Sequence, residues 1–90
     1  MNALRDNIER HRYELDAPEG MSWADYRDIG GVRVIMHVET PVVARGRGYA
    51  SKLMAEVVSE ARGTSRKLRA SCAFAVAYFR RHPDTADVQA

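Results

Sequence analysis

The hydrophobic pattern changes period along the chain, and each change marks an element. From Arg10 to Asp16, Tyr13 and Leu15 alternate with Arg12, Glu14 and Asp16, a period of two that predicts a half-buried strand. Ala17-Pro18-Glu19-Gly20 is a turn, punctuated by proline and glycine. Ser22 to Ile29 predicts a second strand, with Ala24 and Tyr26 on one face and Trp23, Asp25 and Arg27 on the other. Gly30-Gly31 makes a tight hairpin turn into a third strand, Val32 to Glu39. There Val32, Val34, Met36 and Val38 share one face, and Arg33, Ile35, His37 and Glu39 share the other. Pro41 stops this strand, because proline donates nothing to a ladder.

Beyond the loop 42–48 the period becomes helical. Ala50, Leu53, Met54, Val57, Val58 and Ala61 form one stripe over 49–62, with Lys52, Glu56, Ser59 and Glu60 opposite and Gly63 placed as the residue just past the helix end. Lys67 to Cys72 predicts a short fourth strand, with Leu68 and Ala70 inward. Ala73 to Arg81 reads as a second helix, although Val76, Tyr78 and Phe79 would also suit a strand; His82-Pro83 stops it. Residues 1–8 show no pattern and are expected to be a flexible lead-in, and residues 84–90 a frayed tail. The order β-β-β-α-β-α predicts an α+β fold: a mixed, mainly antiparallel sheet with a helix packed on it. The crossover helix makes the last strand pair parallel.

Composition narrows the class. Ninety residues suffice for a single domain spanning 1–90, and 46% hydrophobic with 29% charged residues is an ordinary globular balance. The net charge of +2 is small for a nucleic-acid binder, which makes nucleic acid an unexpected partner. One cysteine, Cys72, excludes an internal disulfide framework and suits a reducing compartment. The opening Met-Asn-Ala-Leu-Arg-Asp-Asn has no apolar run, so no secretory leader is expected, and the longest apolar run, Ala73 to Phe79, is far short of the ~20 residues that cross a bilayer. A soluble cytoplasmic protein without a metal or a membrane partner is expected, its oligomeric state open.

The chemistry concentrates in Val43-Ala44-Arg45-Gly46-Arg47-Gly48-Tyr49-Ala50, between the third strand and the first helix. Gly46 and Gly48 admit positive φ and keep side chains out of a ligand's path. The helix start offers backbone N–H groups without intrahelical partners, and its dipole favours an anion. Arg45 and Arg47 add positive charge. A Walker A loop would need Gly-Lys-Ser/Thr where this chain has Gly48-Tyr49-Ala50, and a Rossmann fingerprint would need a third glycine where it has Ser51.

The stretch Arg45-Gly46-Arg47-Gly48-Tyr49-Ala50 resembles the acetyl-CoA pyrophosphate loop of the GNAT superfamily, Gln/Arg-x-x-Gly-x-Gly/Ala, with Arg45 first, Gly48 fourth and Ala50 sixth. Its setting, a strand before and a long amphipathic helix after, is similar too. Arg12-Tyr13-Glu14-Leu15, Ala24-Asp25-Tyr26-Arg27, His37-Val38-Glu39-Thr40-Pro41, Cys72-Ala73-Phe74 and Tyr78 through Pro83 extend the likeness. They resemble the small single-domain, YjdJ-like N-acetyltransferases over roughly residues 7 to 87. The resemblance implies a GNAT-like fold that binds acetyl-CoA, with the backbone around Val43 and the amides from Gly46 through Arg47, Gly48, Tyr49 and Ala50 to Ser51 holding its pantetheine and pyrophosphate. Larger members enclose the acceptor with helices after their first strand, where this chain offers only the Ala17–Gly20 turn.

Acetyl transfer to an amine needs a neutral amine, a polarised thioester carbonyl and a stabilised leaving thiolate. Glu39, and His37 two residues before it on the same face, are candidate bases; otherwise they form a charged pair on a solvated strand. Cys72 would carry the acetyl group, contact the pantetheine, or lie buried and inert. Tyr78 would protonate the leaving thiolate, or pack with its hydroxyl outward. The expected function is an acetyl-CoA-dependent N-acetyltransferase acting on a small-molecule or peptide amine. Two alternatives stand beside it: an acyl-CoA-binding module with little activity, and a small RNA-binding domain using Arg45, Arg47 and the basic stretch Arg62–Arg69.

Overall fold

The computed structural model describes residues 4–90. Five strands form one sheet in the order β1-β2-β3-β4-β5: β1 Leu4–Asn7, β2 Arg12–Ala17, β3 Gly20–Ile29, β4 Val32–Glu39 and β5 Lys67–Ala70. The first four are antiparallel, and β4 and β5 run parallel. The crossover between them is the helix α1, Tyr49–Gly63, and α2, Ala73–Arg81, follows β5. The α+β class and the parallel last pair are those expected, with one more strand.

That extra strand, β1, replaces most of the expected lead-in; residues 1–3 lie outside the described residues. Only Leu4 in it is apolar, so it has no hydrophobic period to read. Charge holds it instead. Asp6 accepts from Arg33 Nη1 at 2.8 Å and from the Tyr26 hydroxyl, while Arg5 pairs with Glu14 and Asp16. The connection after the first strand is therefore the short 3-10 turn Ile8–Arg10, not Ala17–Gly20.

The stripe expected on the first helix is observed except for Ala50, which is half-buried and lines the loop instead of the core. Leu53, Met54, Val57, Val58 and Ala61 are buried against Tyr13, Leu15, Ala24 and Tyr26, and each large side chain contributes roughly 1.5–3 kcal/mol by leaving water. Ala75, Tyr78 and Phe79 of α2 join the same cluster through Ile35 and Leu68, so both helices cover one face of the sheet. The helix stop differs from expectation. Gly63 is still helical, and Ser65 takes the left-handed conformation (φ 58) while Arg66 N–H reaches back to Ala61 O at 2.8 Å.

The expected tail is also ordered. Pro83–Val88 form a 3-10 turn with Thr85 and Val88 buried, and Ala90 N–H donates to Leu68 O at 2.8 Å along the outer edge of β5. Val88 is the one large apolar side chain of this segment, so its docking on β5 leaves little periodic signal. No helix among the described residues is long and apolar enough to cross a membrane.

Candidate acetyl-CoA site

The site starts from a fault in the sheet. Asp25 pairs with His37 and Tyr26 pairs with Ile35, so Met36 bulges out of the β3–β4 ladder. The face expected from Val32, Val34, Met36 and Val38 is broken here: Ile35 and Val38 both pack on the core, and Met36 is exposed. Pairing between β4 and β5 ends at the rung beside it, Ile35 with Ala70, closed by Ser71 N–H to Ile35 O at 2.9 Å. Among the described residues, His37–Glu39 pair with β3 alone, and β5 turns away into α2. The result is a wedge between the end of β4 and the start of α2.

The loop closes one end of this wedge. Val42–Ala44 make a 3-10 turn in which Ala44 is buried and the Val42 and Val43 side chains are solvent-exposed. Gly46 and Gly48 have φ of 80° and 79°, and a Cβ on either would meet no atom within 4 Å. Conformation, not crowding, demands glycine here, and the space above the backbone stays open. Gly48 caps α1, its carbonyl accepting from Lys52 N–H at 3.0 Å. The amides of Tyr49, Ala50 and Ser51 then belong to the first turn, which has no intrahelical acceptors. A cavity of about 190 Å³ lies against them, with Thr40, Arg45, Gly46, Gly48, Ser51 and, from α2, Phe74 among its walls. A larger hollow of about 300 Å³ between Arg69, Val76, Arg80 and Gln89 is lined by none of the expected site residues.

Both arginines of the loop already have carboxylate partners. Arg45 Nη2 lies 2.8 Å from Glu39 Oε2, and its Nε donates to Thr40 O at 3.2 Å. His37 Nε2 is 3.0 Å from the other oxygen of Glu39. Arg45, and secondarily His37, hold the Glu39 carboxyl below the usual glutamate range. Arg47 Nε sits 3.4 Å from Glu19 Oε2, and the Tyr49 hydroxyl donates to Glu19 Oε1 at 2.7 Å. Glu19 reads in the sequence as a turn residue only. Nothing local indicates that it meets a loop about thirty residues later.

Cys72 is half-buried and caps α2, its Sγ accepting from Ala75 N–H at 3.4 Å, so it ends no strand but starts a helix. Phe74, two residues on, reaches the loop cavity. Tyr78 lies elsewhere: it is buried in the core, stacked on His82 at 4.0 Å between ring centroids, and lines no wall of that cavity. Burial, with the Asp84 charge, raises its hydroxyl pKa. The structure thus gathers His37, Glu39, Arg45 and the loop amides on one side of the wedge and Cys72 on the other, and leaves Tyr78 apart.

The family model for the GCN5-related N-acetyl-transferase domain matches residues 12–88. The chain belongs to the GCN5-related N-acetyltransferase family. A solved structure supports the fold of this acetyltransferase. The solution structure of a GCN5-like candidate N-acetyltransferase from Staphylococcus aureus superposes with a TM-score of 0.68 at 22% identity, covering 98% of this chain and 87% of the other. Among curated proteins no sequence matches. Family membership makes the chain an N-acetyltransferase of a class that generally uses acetyl-CoA and acts on amines.

Proposed function

We propose that this acetyltransferase binds acetyl-CoA in the wedge and transfers the acetyl group directly to a primary amine. The observation that carries the reading is the cradle itself: two positive-φ glycines with open space above them, at a helix start beside the unpaired end of β4. The amides from Gly46 to Ser51 would receive the pyrophosphate, with Arg45 and Arg47 at its sides. The unpaired edge of His37–Glu39 and the backbone around Val43 would take the pantetheine amides in strand fashion.

Bound acetyl-CoA supplies an electrophilic thioester: the amine nitrogen forms the new C–N bond, the C–S bond breaks, and the pair leaves with sulfur. The chain's task is the proton on that nitrogen. Glu39, stabilised as an anion by Arg45, is a weak base. His37 suits the role better, because its bond from Nε2 to Glu39 orients the ring and leaves Nδ1 to accept the proton. Cys72 would lie near the thioester as the cap of α2, and Tyr78 serves the core.

Calorimetric titration with acetyl-CoA tests the reading, with Gly48→Glu as the comparison and thermal melting as the check on folding. Binding by the native chain and its loss in a folded Gly48→Glu variant is expected. No binding by the native chain would overturn the proposal. A module that holds acyl-CoA with little turnover is the second reading, favoured by the single 3-10 turn Ile8–Arg10 where larger members place helices. It predicts the same titration without release of free thiol in the presence of amines. An RNA-binding role finds less support, since Arg62 pairs with Asp87 and the loop arginines with Glu39 and Glu19.

A further inference from the structure

Among the described residues, Glu19 is the one acidic side chain that reaches the loop from outside the strand–loop–helix unit. The turn that carries it is seated firmly. Gly20 has φ 140°, and a Cβ there would come within 2.9 Å of Pro41 Cγ, so the β2–β3 turn lies directly on the entry to the loop. From that seat the Glu19 carboxylate spans two loop groups: one oxygen takes the Tyr49 hydroxyl at 2.7 Å, the other faces Arg47 Nε at 3.4 Å. The two contacts differ in kind. The Tyr49 bond is short and directional, and Tyr49 opens α1. The Arg47 contact is long, and the arginine side chain is 60% exposed, so it can swing to another anion at little cost.

We infer that Glu19 is a resident counter-anion of the CoA loop: it holds Arg47 in place and must yield it to the incoming phosphate, so that its charge sets the affinity for the phosphorylated end of the ligand. This rests on the reading of the loop as a CoA site. Electrostatics sets the sign. Tyr49 Oη is a neutral donor, so Glu19 can keep it while Arg47 leaves. The carboxylate then faces a phosphate without its cation, and like charges oppose binding. The Glu39–Arg45 pair is different, because it is shorter and Arg45 is also held by Thr40 O. Arg47 is the mobile cation of the loop, and Glu19 regulates it. The cost to affinity is the size of an exposed ion pair, and the benefit is a loop already arranged before ligand arrives.

Glu19→Gln separates charge from position, since the amide oxygen still accepts from Tyr49. Titrations of the full chain with acetyl-CoA and with S-acetyl-pantetheine, which lacks phosphate, read the effect. At low salt Glu19→Gln should bind acetyl-CoA about two- to fivefold more tightly, the gain shrinking toward 0.5 M salt as exposed charges are screened. Its affinity for S-acetyl-pantetheine should match that of the native chain. The gain should be smaller when Glu19→Gln is combined with Arg47→Gln. Unchanged or weaker acetyl-CoA binding in a Glu19→Gln protein that melts like the native one overturns the inference, as does an equal gain for S-acetyl-pantetheine. Absence of acetyl-CoA binding by the native chain would instead strike the CoA reading itself.

Discussion

Ile35 and Ala70 form the last rung between β4 and β5, and Met36 bulges from the opposite ladder at the next residue. One residue therefore decides where the sheet opens. The bulge turns β4 away just as its parallel partner ends, and Ser71 N–H finishes the ladder on Ile35 O. Removing the extra residue should close the opening. Deletion of Met36 leaves Asp25 opposite His37 and Tyr26 opposite Ile35 with nothing between them. The variant should unfold cooperatively in denaturant yet bind acetyl-CoA at least tenfold more weakly by calorimetry; native-like affinity would show that the bulge does not shape the site.

His37 is expected to carry the proton. Replacing it by Gln should lower acetyl transfer on the order of 100-fold or more, the range for a lost general base. Free thiol released from acetyl-CoA across a panel of primary amines measures this. Glu39→Gln should cost less, because it removes an orienting partner; a larger loss in Glu39→Gln than in His37→Gln would move the base to Glu39.

Cys72 is expected to be a cap and not an acyl carrier. Mass spectrometry after incubation with acetyl-CoA should find no acetyl group on Cys72, and Cys72→Ala should keep its turnover. Cys72→Ser should be at least as stable as the native chain, because a hydroxyl caps a helix better than a thiol, whereas Cys72→Ala should lose about 0.5–1 kcal/mol in urea unfolding.

Arg33 holds β1 in place. It is 6% exposed, donates from Nε and Nη2 to Asp28 at 2.7 and 2.9 Å, reaches Asp6 and Tyr13, and lies 3.8 Å from the centre of the Tyr26 ring. Arg33→Ala should cost about 3 kcal/mol and expose β1 amides to hydrogen exchange ahead of the rest of the sheet.

The tyrosines of the same network give an alkaline signature. Burial pushes the Tyr13 hydroxyl up to about 12, helped by Glu60 and opposed by Arg33, and burial together with the bond to Asp6 raises Tyr26. The folded state then holds these protons more tightly than the unfolded chain. Their stabilisation is complete below pH 10, the ordinary tyrosine value, and is lost as pH climbs toward 12. Melting temperature should fall over that window; residue-resolved NMR that finds Tyr13 or Tyr26 ionised near pH 10 in a still-folded protein would contradict it.

Local residue patterning sets the elements that bury a periodic face. The α1 stripe from Leu53 to Ala61, the alternation of Tyr13 with Leu15 and of Ala24 with Tyr26, and the loop glycines Gly46 and Gly48 after β4 were all legible, because each is set by neighbours within a few residues. Features that depend on distant partners come from packing. Strand β1 exists through Asp6 meeting Arg33, 27 residues away. The register shift at Met36 is a property of two strands and leaves both sequences looking regular. The C-terminal turn is ordered by Leu68, and Glu19 reaches Arg47 only because Gly20 lets its turn lie on Pro41. Local period fixes which side of an element is apolar; where a ladder opens and which charges meet across it are settled by packing, which no short window of sequence contains.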